Sequence, residues 1–170
     1  MSDNTYPIAK ITTISGFKGE VRLRPLSRYS IEYIINKSLH IGIVKENISN
    51  IKLENTIGTG KKMRFKFQGI DTSHEADEIV GKTIYINAEK DDEINLICKD
   101  VIGFRLETES GRKVGTLKDV MWLPANDVYV VLKDGKELLI PIISEVIKKL
   151  DFDNKKIIIA DIDGLLGLWK

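Results

Sequence analysis

Apolar and polar residues alternate in short segments along most of this chain, and turn-forming residues interrupt them about every 8 to 12 positions. A period of two sends successive side chains to opposite faces, so each segment reads as a half-buried strand rather than an amphipathic helix. In the first half the pattern predicts strands over residues 8–13, 19–26, 39–44, 48–54, 62–68 and 83–86. One helix interrupts them. Thr72 and Glu75 have capping-box spacing, Ala76, Ile79 and Val80 supply a buried stripe, and Gly81 can end it. In the second half strands are expected over residues 101–107, 113–122, 127–132, 137–140 and 156–160, with residues 142–150 read as a short helix or a 3-10 turn.

Between these halves, Asn87 to Glu93 is polar, acidic and aperiodic, which marks an inter-domain linker. Small all-β units escape exposed sheet edges most completely by closing into barrels. The expected fold class is therefore all-β, with two small β-barrel domains: residues 1–90, a linker at 91–96, and residues 97–170.

Composition narrows the function classes. Hydrophobic residues make up 42% of the 170 and charged residues 30%, as in an ordinary globular protein. The longest apolar run, at residues 137–147, is broken by Pro141, Ser144 and Glu145 and falls short of the roughly 20 residues a spanning helix needs. Residues 1–6 lack a basic stretch followed by an apolar one, so no secretory signal and no membrane association are expected. The lone cysteine, Cys98, reads as a small buried hydrophobe and suits a reducing, cytoplasmic setting.

Catalytic and metal-binding signatures are weak. Gly58-Thr59-Gly60-Lys61-Lys62 has the look of a phosphate-binding loop, but position 55 is Asn55 and position 62 is Lys62, so a basic hairpin turn is the better reading. The Asp151 and Asp161 segments start like calcium loops but lack the Glu that would close the ligand set. His40 and His74 have no second metal-type ligand at suitable spacing. The expectation is a protein with no enzymatic activity, metal or cofactor.

Binding surfaces are easier to nominate. In Glu20-Val21-Arg22-Leu23-Arg24, Val21 and Leu23 face one way and Arg22 and Arg24 the other. Lys62-Met63-Arg64-Phe65-Lys66-Phe67 repeats the design, with Lys62, Arg64 and Lys66 predicted outward. Side by side, the two strands would offer five cations, with Lys18 and Arg28 at the margins, and phosphates favour such a surface through counterion release. The competing reading is that these cations serve solubility and edge protection. The net charge of +1 does not choose between them.

The segment Trp122-Leu123-Pro124-Ala125-Asn126-Asp127 is either a turn capped by Asn126 and Asp127 or a protein-docking loop with an aromatic anchor. Leu168 and Trp169 in the apolar tail are open to the same two readings, packing on their own barrel or docking on a partner.

Several of these segments together resemble the RimM family. Ile8-Ala9-Lys10-Ile11, Gly16-Phe17-Lys18-Gly19-Glu20-Val21-Arg22-Leu23 and Pro25-Leu26 resemble its opening motif. Phe67-Gln68-Gly69-Ile70-Asp71 with Glu75-Ala76 and Gly81, then Lys99-Asp100-Val101-Ile102-Gly103, resemble its next blocks. Gly111, Gly115, Val120, Ala125-Asn126-Asp127-Val128, Leu139-Ile140-Pro141, Asp151, Lys155-Lys156-Ile157 and Gly164-Leu165-Leu166 match the PRC-barrel pattern in order.

The resemblance implies a translation-factor-like first barrel and a PRC barrel after it. It implies a monomeric, non-catalytic ribosome maturation factor that promotes 16S rRNA processing and assembly of the 30S head. The implied partners are a small-subunit head ribosomal protein, the nineteenth of that subunit, together with adjacent 16S rRNA and immature 30S particles. The alternative is a regulatory or small-molecule-binding PRC-barrel module unrelated to ribosomes. Two positions depart from the family pattern: Asn95-Leu96-Ile97-Cys98 stands where an aromatic pair is common, and Pro124 where Gly is usual.

Overall fold

The computed structural model describes residues 4–166, which divide into two compact units at Glu89/Lys90. Elements of the first unit are β1 (Thr5–Ile14), β2 (Val21–Pro25), α1 (Ser30–Asn36), β3 (Leu39–Gly42), β4 (Ile48–Ile51), β5 (Leu53–Ile57), β6 (Arg64–Phe67), α2 (Ser73–Ile79) and β7 (Thr83–Asn87). Its strands form one sheet in the order β4-β3-β7-β1-β2-β6-β5.

The sheet's two edge strands, β4 and β5, are successive in the chain and separated only by Lys52. One extended segment that bends at a single residue therefore joins the opposite edges, and the sheet curls shut. Lys52 O accepts the N–H of Gln68 at 2.9 Å, which ties the bend to the end of β6. Alternation alone predicts one strand at residues 48–54; the structure splits it at the corner and extends it to Ile57. Ile8, Ile11, Val21, Ile34, Phe65, Phe67, Ile84 and Ile86 fill the interior. Each such side chain contributes about 1.5–3 kcal/mol by leaving water.

Thr72 caps α2 as its spacing predicts: its Oγ1 accepts the N–H of Glu75 (3.2 Å), and Glu75 Oε2 accepts the N–H of Thr72 (3.0 Å). The α1 helix is absent from the sequence-based expectation, because it carries no capping side chain at Tyr29. Packing holds it instead. The buried Ser30 hydroxyl donates to Ile8 O and accepts the N–H of Ser27, while Tyr33 and Ile34 turn inward.

The second unit comprises α3 (Lys90–Leu96), β8 (Arg105–Thr108), β9 (Lys113–Met121), β10 (Val128–Lys133), β11 (Lys136–Pro141), β12 (Ile147–Asp151), β13 (Lys156–Ile159) and α4 (Asp163–Leu166). Its sheet runs β11-β10-β9-β8-β13-β12, antiparallel except for the β13/β8 pair. Here too the edge strands, β11 and β12, are consecutive in sequence, joined through a turn at residues 142–146 in which Ile143 O accepts the N–H groups of Val146 and Ile147. Residues 142–150, expected as a short helix or a 3-10 turn, form a turn that leads into β12.

Residues 91–96, expected as the linker, form most of α3, with Asp92 and Ile94 buried and Ile94 joined to the second core. The acidic first turn Asp91-Asp92-Glu93 suits the positive end of the helix dipole. Among the described residues no helix is long and apolar enough to cross a membrane.

Candidate functional site

The turn between β1 and β2, residues 15–20, organises a cationic surface of the first unit. Its backbone closes through the N–H of Ser15 donating to Glu20 O at 2.7 Å. The Glu20 carboxylate folds beneath the turn and accepts the N–H of Lys18 at 2.8 Å. Two glycines leave room for this packing, Gly19 against backbone and Gly16 against the Glu20 side chain. A Cβ at Gly16 would lie 2.2 Å from Glu20 Oε2, and one at Gly19, where φ is +82°, would lie 1.9 Å from Ile70 O. The Glu20 carboxyl is held below its ordinary pKa, first by its own backbone N–H, then by that of Lys18 and by the charges of Arg64 and Lys18, against an opposing desolvation.

Two arginines predicted from separate strands meet at this turn. The strands β2 and β6 are neighbours, registered through Val21 and Phe65. Arg22 Nε donates to Ser15 Oγ at 3.1 Å and Arg64 Nη1 donates to Ser15 O at 3.0 Å. Arg22 and Arg24 are exposed on the outer face, and Arg64 is half-buried. Lys10 of β1, which alternation in β2 and β6 does not nominate, pairs directly with Arg24. Both are exposed, and like charges facing each other across a ladder are unfavourable until an anion relieves them. The alternation within β1 carried that signal. Lys18 is exposed beside the turn, Lys62 is exposed in the 3-10 turn at Gly60–Lys62, and Arg28 is exposed beyond the end of β2.

Lys66 must be removed from this surface. It is 7% exposed, and its ammonium donates to Asp71 Oδ1 (2.7 Å), Ile70 O (2.5 Å) and Phe67 O (3.3 Å) and lies 3.4 Å from Glu54 Oε2. It points away from the core as alternation requires, but the chain after β6 folds back over it. Its pKa is raised, chiefly by the hydrogen bond to Asp71. The exposed aromatic Phe17, at the tip of the same turn and 94% accessible, is the other residue that alternation misses.

In the second unit, residues 122–127 connect β9 to β10. Trp122 is 39% exposed and carries the Lys99 ammonium 5.3 Å from its ring centroid. Pro124, Ala125 and Asn126 are exposed and Leu123 is half-buried. Asp127 is the exception: it is 2% exposed, and its backbone O accepts the N–H of Ile142 at 2.8 Å. It therefore belongs beneath the loop and not to a docking surface. Burial, and then the Asp127 charge, push the Cys98 thiol up to about 11, which keeps it protonated and unreactive at neutral pH. Leu168 and Trp169 lie outside the described residues. Among the described residues no cluster of three or more His, Cys, Asp or Glu side chains could hold a metal ion.

Residues 6–91 match the model of the RimM N-terminal domain and residues 98–165 that of the RimM PRC barrel domain. The chain belongs to the RimM family. A ribosome maturation factor RimM from Thermoanaerobacter sp. is 34% identical over 94% of this chain and 98% of its own length. Another, from Caldanaerobacter subterraneus, is 36% identical over the same shares. A RimM crystal structure from Pseudomonas aeruginosa aligns at 19% identity over 94% of this chain and 99% of that one, with a TM-score of 0.45. The glycine turn with its arginines falls within the RimM N-terminal domain and the Trp122 loop within the RimM PRC barrel. The interval between the two matches, residues 92–97, holds most of α3.

Proposed function

We propose that the chain is a cytoplasmic, monomeric, non-catalytic assembly factor for the head of the 30S subunit. On this reading it binds the nineteenth protein of the small subunit together with nearby 16S rRNA on immature particles, and so promotes rRNA processing. The observation that carries it is the match of both RimM domains, in order, over nearly the whole chain. Arg22, Arg24 and Arg64, with Lys10, Lys18, Arg28 and Lys62, supply phosphate contacts in the first unit. Trp122, Leu123, Pro124, Ala125 and Asn126 supply the protein-docking loop in the second. The free energy comes from binding alone: the factor favours one arrangement of the head and leaves when later contacts compete.

Gradient sedimentation of cell extract, probed for this chain, tests the reading. The chain is expected with immature small subunits and not with translating ribosomes, and Arg22→Glu combined with Arg24→Glu should weaken that association most at low salt. A folded protein that stays at the top of the gradient at every salt concentration would reject it.

A further inference from the structure

We infer that Phe17 is a stacking platform for an unpaired base of the RNA that the surrounding cations bind. This rests on the RNA reading of the β2/β6 face and adds a specific recognition element to it. Isolated exposed hydrophobic residues are common on protein surfaces and need no explanation by themselves. Phe17 differs in how it is held and what surrounds it.

Its ring is 94% accessible, yet the backbone on both sides is fixed. Gly16 sits against the Glu20 carboxylate and its O accepts Ser73 Oγ at 3.3 Å. The Lys18 N–H is tied to the same carboxylate at 2.8 Å, and Gly19 is packed on Ile70 O. An aromatic side chain on a rigid turn loses little freedom when it binds.

The neighbours choose the occupant. Lys18 comes directly after Phe17, and Arg22 and Arg64 converge on Ser15 two positions before it. Glu20, the anion of the turn itself, is turned inward and engaged by backbone N–H groups and by Arg64 and Lys18. On the adjoining segment Asp71 is paired with Lys66, while Glu75 accepts the N–H groups of Asp71 and Thr72. Between Thr12 and Arg24 no other large hydrophobic side chain is exposed. An apolar pocket on a protein partner would therefore meet one ring framed by cations. A nucleotide offers a base for the ring and phosphates for the frame, the combination used for single-stranded RNA.

The test is titration of the full chain with a single-stranded RNA on the order of 12 nucleotides carrying 2-aminopurine, and with an RNA duplex of equal length. Phe17→Ala should weaken single-strand binding by about tenfold and abolish the stacking-induced quenching, with the salt dependence and the duplex affinity unchanged. Phe17→Trp should retain binding and Phe17→Leu should fall with the alanine variant. The inference is overturned if Phe17→Ala binds single strands normally while Arg22→Glu with Arg24→Glu does not, an outcome that leaves the RNA reading standing. Full affinity in Phe17→Leu, or a loss confined to the isolated small-subunit protein, would assign Phe17 to an apolar pocket instead. A wild-type chain that binds neither RNA would remove the RNA reading and this inference with it.

Discussion

The strands β2 and β6 lie side by side and carry the same alternation of apolar and cationic residues, yet they put their cations to different uses. On β2, Arg22 and Arg24 remain in contact with solvent. On β6, Lys66 is enclosed by Asp71, Glu54 and two carbonyls, and Arg64 is half-buried against Ser15. The difference comes from the path of the chain beyond each strand. After β6 the chain turns at Gly69 with φ of +77° and folds Ile70 and Asp71 back over Lys66. After β2 it runs to α1, which packs against β1 instead. Strand geometry selects the outer face, but neighbouring segments decide whether that face stays wet.

Four substitutions would break or sharpen this contrast. The largest effect is expected from Gly19→Ala, since its Cβ would enter the backbone of Ile70, the residue that also covers Lys66. Left-handed strain and the clash together should cost about 3 kcal/mol in urea unfolding. A cost under about 0.5 kcal/mol would mean that the turn and the Lys66 cover are independent.

Next comes the direct comparison. Lys66→Ala should lose about 2 kcal/mol, less than for a fully buried pair because Glu54 and Asp71 can rehydrate. Arg24→Ala should stay within about 0.5 kcal/mol of wild type while reducing RNA affinity. Equal destabilisation by the two variants would erase the distinction between the strands.

The smallest effect concerns pH. Glu75, whose Oε2 accepts the N–H groups of Asp71 and Thr72, has its pKa lowered chiefly by the Asp71 bond. Its contribution is present above the ordinary carboxylate range and is lost as pH falls through the lowered value. Lys66, with a raised pKa, contributes below the ordinary lysine value and loses that contribution as pH rises through the raised one. Melting temperatures of wild type and Glu75→Gln should therefore converge in acid and separate at neutral pH. A constant gap across the acid range would show that the carboxylate charge does not hold the turn.

Much of the fold was legible because its signals are local. The capping box at Thr72 and Glu75 and the period-two strands depend on residues a few positions apart, so spacing alone located them. The α1 helix escaped because its stability comes from Ser30, Tyr33 and Ile34 packing on the barrel, without a capping side chain. The helix α3 escaped because its contact with the second core runs through Ile94, which the polar composition around it does not announce. At the candidate site, the outward faces of Arg22, Arg24, Arg64 and Lys10 were legible from alternation, whereas the pairing of Lys10 with Arg24 and the placement of Phe17 came only when β1 and its turn were set beside β2.

The sequence by itself therefore determined an all-β chain with two barrel-sized halves, the ordered motifs of the RimM family and a cationic outer face on β2. These arise from side-chain alternation and from residue identity. Only the tertiary structure decided that one bend at Lys52 joins the sheet's edges, that Lys66 and Asp127 are covered, and that Phe17 is held clear of the surface. Coverage depends on segments distant in sequence or folding back from outside the strand, and no two-residue period encodes it.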